Sequence, residues 1–289
     1  MNNASALKSA MLADRASIEM RHPEVFRPDW PRRVRTGLLL AVLVGLLVYG
    51  LASMDTSWSR VFGGFGELAR ILSVMLPPTY GTEAKLYLYL KALGETLAIA
   101  LVGTLLAAVL AFPVGILAAR NVLPVWLARF FLRRSFDTIR GVDALIWALV
   151  WINVVGLGPF AGVLAIATSD LGSFAKLFSE AVENSDRKPV EGVLASGGSH
   201  VHAVRYGLIP QVLPVIAGQV LYFIESNTRS ATIIGIVGAG GIGLHLAEQI
   251  RTLEWQHVSF LVLMILVAVA LIDVVSTRLR SAIIGRRPS

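Results

Sequence analysis

Apolar runs separated by short basic segments set the pattern of this chain. Residues 36–53 form the first run, without a charge and long enough for a helix across a hydrocarbon core of about 30 Å. Residues 96–119 form the second, with Pro113 inside it, which a membrane helix tolerates where neighbours satisfy the freed backbone. A third runs over residues 141–155, and the turn Gly156-Leu157-Gly158-Pro159 leads to a fourth over residues 160–178. Asp170 lies within the fourth and weakens its apolar character. The fifth covers residues 211–225 and extends toward Ile236 with polar interruptions, and the sixth covers residues 258–275.

The intervening segments read differently. Residues 1–35 are polar and basic, with Arg15, Arg21, Arg27, Arg32, Arg33 and Arg35. They lack an apolar core with a small-residue cleavage site, so the expectation is a tail followed by a retained anchor rather than a cleaved leader. Within residues 54–93, the stretch 61–75 sets Glu67 and Arg70 among Leu and Ile and ends at Pro77-Pro78; it reads either as an interfacial helix or as a plain loop. Residues 191–214, EGVLASGGSHVHAVRYGLIPQVLP, are a polar, Gly-interrupted insert between two apolar segments. Such an insert has to sit at a membrane face. Pro189 suits the first turn of a short helix, Glu191 places a carboxylate near its positive end, and Gly197 and Gly198 break it.

Composition fixes the class. The chain has 289 residues, 55% of them hydrophobic and 16% charged, too apolar for an ordinary soluble domain. The net charge of +7 comes from cations that flank the apolar runs rather than forming one patch, which argues against nucleic acid. Of the 26 Lys and Arg, 20 fall on the side of both termini when six spans are counted, together with the Glu191 insert. That asymmetry predicts both termini and the insert in the cytoplasm. There is no cysteine, so disulfides and thiolate metal sites are excluded.

Residues 238–243 satisfy G-x-G-x-x-G letter for letter, but an apolar run follows where a dinucleotide fold would carry its acidic residue. A glycine-rich backbone between spans instead packs closely or lines a cavity. No P-loop is present, so ATP chemistry would belong to another subunit. His200 and His202 lack a nearby third ligand in the sequence and predict no metal site. The most informative polar cluster is Glu225, Ser226, Asn227, Arg229, Ser230 and Thr232 at the end of the fifth span. Glu225 and Arg229 share a helical face: they either pair internally, or Arg229 and its neighbours line a path for an oxyanion, which a guanidinium suits. Trp151 and Asn153 are further candidates for that path, or else an interfacial aromatic and a helix-packing amide.

The 191–214 insert resembles the cytoplasmic coupling loop of ABC-importer permeases. Glu191 matches the loop's Glu, Gly197 its Gly six positions on, and Ile209-Pro210 its closing pair, while Gly192 and Val193 replace the usual two Ala. A generic amphipathic interfacial helix is the plainer reading of the spacing. Residues 97–121 (LAIALVGTLLAAVLAFPVGILAARN), 137–163 (DTIRGVDALIWALVWINVVGLGPFAGV) and 223–243 (FIESNTRSATIIGIVGAGGIG) join that loop in resembling the phosphonate-type branch of these permeases. The likeness covers about residues 90–280 and the first 90 only in outline.

The resemblance implies an all-α integral membrane protein of about six transmembrane helices with a type I, MetI-like core. Together with the hydropathy pattern this gives a cytoplasmic tail at 1–35, an anchor at 36–53, an external segment at 54–93, a permease core at 94–280 and a tail at 281–289. The coupling loop, about 186–210, would engage ATPase through Glu191, Gly192, Gly197, Gly198, Ile209 and Pro210. The expected partners are a second copy of this chain, two cytoplasmic ABC ATPase subunits that bind ATP and Mg, an external substrate-binding protein and the bilayer. This subunit itself would carry no catalytic site and no cofactor. The expected cargo is a phosphonate, phosphite or phosphate, imported across the cell membrane by alternating access. Methionine or another small solute is the alternative within the superfamily; an ATP-independent channel or secondary transporter, or a membrane enzyme, are the alternatives outside it.

Overall fold

The computed structural model describes residues 30–53, 58–122 and 125–284, together with Ser17 and Met20. Arg15, Arg21, Arg27, Arg286 and Arg287 lie outside the described residues, whereas residues 30–35, read as part of the N-terminal tail, already belong to the first helix. The chain divides into two units, Met1–Ala69 and Arg70–Ser289.

The first unit holds helix α1, Trp30–Ser53. Its described side chains from Val34 to Tyr49 are all exposed and mostly Leu and Val, as expected of a helix whose solvent is lipid. Helix α2, Trp58–Val74, starts in this unit and carries exposed Phe62, Phe65, Leu68 and Leu72 among Arg60, Glu67 and Arg70. The stretch read as interfacial helix or loop is thus helical.

The second unit is a helical bundle. Helix α3, Glu83–Ala118, is capped by Thr82, whose side chain accepts from the Lys85 N–H. It begins inside the stretch read as an external segment and runs through Pro113. Helices α4 (Trp126–Arg140) and α5 (Ala144–Val155) meet at a bend of 87°. Here the sequence reading needs correction. Asp143 caps a fresh helix by accepting from the Leu145 N–H at 2.8 Å, so the third apolar run is only 12 residues long. At 1.5 Å per residue it covers about 18 Å, short of a bilayer core. It counts toward a span only with α4. Helix α6, Pro159–Glu183, follows with Pro159 in its first turn.

Next come α7 (Lys188–Ala195), α8 (His200–His202), a π-helical segment Ala203–Leu208, α9 (Ile209–Ile234) and a second π-helical segment Gly235–Ala239. Helices α10 (Ile242–Arg251) and α11 (Trp255–Ile284) are the last among the described residues. Five of these helices are long and apolar enough to cross a membrane, and the bent pair raises the number to six. Arg278 and Arg280, read as flanking the last span, lie within α11. Helix α10 was not anticipated.

The bundle packs inside out compared with a water-soluble protein. Gly103, Ala107, Ala111 and Gly115 recur every four residues on the buried face of α3, while Leu105, Val109, Leu110 and Leu117 point outward. Lipid is as apolar as leucine, so close backbone approach rather than hydrophobic burial holds such helices together. A Cβ on Gly103 would stand 2.9 Å from Cβ of Ile166, which shows how near α6 comes. Three apolar clusters run along α3: Tyr89 and Ala92 with Ile242 and Leu261, then Ile99 and Ala100 with Ile166 and Ile234, then Ala107 to Ala118 with Phe174, Phe178 and Val212.

Candidate functional site

The 191–214 insert folds as a compact helical hairpin. Pro189 sits in the first turn of α7 and Glu191 in the same turn. Gly197 ends it at φ +83°, a left-handed conformation that side-chain-bearing residues rarely adopt. The Gly198 N–H closes the turn on the Val193 carbonyl at 3.0 Å. Ser199 and His202 form a capping box at the start of α8, so His202 serves the helix start. No cluster of three metal-binding side chains occurs among the described residues.

One face of this hairpin is fastened to the bundle. Val190 and Val204 pack on the cluster of Phe174, Phe178, Leu208 and Val212. The Gln211 amide donates to the carbonyls of Gly207 (2.5 Å) and Asp186 (3.1 Å), and its oxygen accepts from the Asp186 N–H at 3.1 Å. The opposite face is open. Glu191, Gly192, Gly197 and Pro210 are exposed, as are the apolar Leu194, Val201 and Tyr206; Gly198 and Ile209 are half-buried. Ion pairs gather at the same end: Arg133 on α4 reaches both the Ala118 carbonyl at 3.3 Å and the Glu183 carboxylate, which also accepts from the Arg120 N–H at 2.7 Å. A cleft of about 430 Å³ opens nearby between α6 and α9, lined among others by Asn184, Asp186, Gln211 and Gln219.

The second polar cluster lies within α9 rather than at its end, because the helix runs on to Ile234. Asn227 is buried and donates its amide to Thr104 on α3, at 2.8 Å, and to Asp170 on α6. The charge that made the fourth run look weak is therefore hydrogen-bonded inside the bundle, where an intramembrane carboxylate is least costly. Thr104 and Asp170 lie near the midpoints of their helices, so Asn227 marks the middle of the bundle. Glu225 and Arg229 stand within one turn of it.

Arg229 pairs with Glu225 at 3.4 Å, and Arg280 of α11 approaches the same carboxylate at 3.6 Å. The Glu225 side chain is 14% exposed while that of Arg229 is 50% exposed. Ser226 and Ser230 are half-buried, and Thr232 turns back on its own helix to the Thr228 carbonyl at 3.2 Å. Trp151 donates to Thr168 Oγ1 at 3.0 Å and packs with the cluster containing Ala231, whereas Asn153 is exposed and donates to the Leu149 carbonyl at 2.7 Å. The structure thus pairs a largely covered Glu225 with Arg229 on an open face, while Asn227, Thr232 and Trp151 are engaged inside the bundle. Thr104, Asp170 and Arg280 were missed as members of this site. A charge inside an apolar run signalled Asp170; nothing in the sequence singled out Thr104.

The glycine-rich segment is a tight turn between two helical elements, not a turn that follows a strand. Gly238, Gly240 and Gly241 take positive φ, the Gly158 N–H donates to the Gly238 carbonyl at 3.1 Å, and the Ile242 N–H donates to Thr96 Oγ1 at 2.8 Å. These bonds hold the turn before α10 tightly against α3 and the α5–α6 connection.

Comparison with known proteins places this arrangement. Residues 111–287 match the family described as "Binding-protein-dependent transport system inner membrane component". HtxC of Stutzerimonas stutzeri, a permease protein assigned to a phosphite transport system, is 37% identical over 260 residues, covering 90% of this chain and 91% of its own. The phosphate-import permease protein PhnE of Mycolicibacterium smegmatis is 36% identical over 91% of this chain and 49% of its own. Inward-facing structures of the MetNI methionine ABC transporter share the fold, with a TM-score of 0.61 at 20% identity over 70% of this chain and 99% of the matched one. The all-helical MetI-like bundle, its membrane-crossing helices and the extent of the match show that this chain belongs to the family of binding-protein-dependent inner membrane transport components, as the permease subunit of an ABC importer.

Proposed function

We propose that this permease imports a phosphorus oxyanion, phosphite, phosphate or a phosphonate, along a path bordered by α9 and α11, and that a separate ATPase drives it through the α7 hairpin. The observation that carries the reading is the half-exposed Arg229 near the middle of the bundle. A guanidinium facing hydrocarbon there would be costly, so this face meets water or a second copy of the chain. Asp273 of α11, also exposed and within the apolar helix, points to the same conclusion. The relatives named for phosphite and phosphate supply the cargo class, and Arg is the side chain best suited to it. The exposed Glu191, Leu194, Val201 and Tyr206 form the surface offered to the ATPase, and their anchorage through Val190, Val204 and Gln211 carries its motion into α6 and α9. The permease works as a homodimer with access alternating between the two faces, both termini and the hairpin in the cytoplasm, and a binding protein delivering cargo from outside.

The test is uptake by proteoliposomes containing the permease, its ATPase and its binding protein, offered phosphite, phosphate, methylphosphonate or methionine. ATP-dependent uptake of a phosphorus oxyanion, lost in Glu191→Ala/Gly197→Asp, is expected. Uptake of methionine alone would overturn the cargo assignment, and a loop variant that transports normally would overturn the coupling.

A further inference from the structure

Glu225 is one anion facing two cations. Its Oε1 lies 3.4 Å from Arg229 and its Oε2 lies 3.6 Å from Arg280, beyond hydrogen-bonding distance for the latter. Arg280 Nε and Nη2 are shielded from solvent and make no hydrogen bond. A shielded guanidinium donor without an acceptor is costly to leave unmade. The Tyr222 ring stands 5.9 Å from the Arg280 guanidinium and holds it in place from one side. The cluster therefore carries an excess positive charge and a shortage of acceptors, in a position shared by α9 and α11.

We infer that Arg280 and Arg229 form a binding site for a tetrahedral oxyanion, and that Glu225 is the internal counterion that occupies the site when it is empty and competes with the ligand. An incoming oxyanion supplies several acceptor oxygens to donors that one carboxylate meets at a stretch. Charge-assisted, fork-shaped hydrogen bonding favours such a ligand over a neutral solute. The inference deepens the oxyanion reading above by naming Arg280, which the sequence places merely among the cations after the last span. A free phosphorus oxyanion and the phosphate of an anionic lipid share this chemistry, so the experiment separates them.

The full-length permease, assembled with its ATPase but without the binding protein, is placed in phosphatidylcholine nanodiscs. Binding of phosphite and of inorganic phosphate is followed by phosphorus NMR. Relative to wild type, Glu225→Gln is expected to bind about tenfold more tightly and Arg280→Ala about tenfold more weakly, with Arg280→Lys between, each step being the size of one charged hydrogen bond. Arg278→Ala, on the same helix, is expected to match wild type. Thermal melts of each variant confirm folding, and Arg280→Lys keeps the test informative if Arg280→Ala is unstable. If free anion does not bind but phosphatidylglycerol retention falls in Arg280→Ala, the site stands with a lipid as its ligand. Unchanged affinity in folded Glu225→Gln and Arg280→Lys, with no lipid retention effect, overturns it. The two readings fail separately. Binding in the expected order without phosphite uptake by the full transporter sinks only the cargo, whereas phosphite uptake with an unaltered KM in both variants sinks only the site.

Discussion

Asn227 donates its side-chain amide to Thr104 Oγ1 at 2.8 Å, across 123 positions of sequence. Thr104 in turn donates to the Ala100 carbonyl at 2.6 Å, and Asn227 also reaches Asp170. Three helices are thus joined at mid-bundle by one amide. Asn227→Ala should lower the stability of the purified permease. A double-mutant cycle with Thr104→Val should give a coupling of about 0.6–1.7 kcal/mol, the range for hydrogen bonds between membrane helices. Unfolding in mixed SDS micelles measures it, and a coupling of zero would mean that the bond contributes nothing.

The approach of α3 to α6 predicts a contrast between two glycines of one helix. A Cβ on Gly103 would crowd Ile166, while Gly94 has open space around it. Gly103→Val should destabilise by about 1–3 kcal/mol through overpacking. Gly94→Ala should be neutral or stabilise by up to about 1 kcal/mol through helix propensity. Melting temperatures of the two variants decide the matter.

Gly197 turns the hairpin at φ +83°. Gly197→Val should strain the hairpin and reduce ATPase stimulation in the assembled transporter, with little effect on the melting of the bundle. Gly197→Asn should be milder, because Asn tolerates the left-handed region better than a β-branched residue does. Equal activity of both variants would show that the turn is not needed for coupling.

The absence of native cysteine makes the orientation directly testable. Gly192→Cys should react with an impermeant maleimide only after the cytoplasmic face is opened. Arg251→Cys should react in intact spheroplasts. The reverse pattern would invert the proposed topology.

Much of this was legible beforehand because it depends on local composition. A span needs about 20 apolar residues wherever it sits, which located α1, α3, α6, α9 and α11 to within their ends. A polar insert with Gly197 and Gly198 in it has to turn, and it does so at Gly197 with φ +83°. What the sequence could not decide was which side of each helix faces inward. In lipid both sides are apolar, so periodicity is silent, and only the packed bundle shows Ala107 and Ala111 inside with Val109 and Leu110 outside. The break at Asp143 that shortens the third run to 12 residues, the extra helix α10, and the partners of Asp170 and Glu225 likewise depend on what lies beside them. A buried charge is placed by its counterpart on another helix, and Arg280 and Asn227 come from 55 and 57 positions further along the chain.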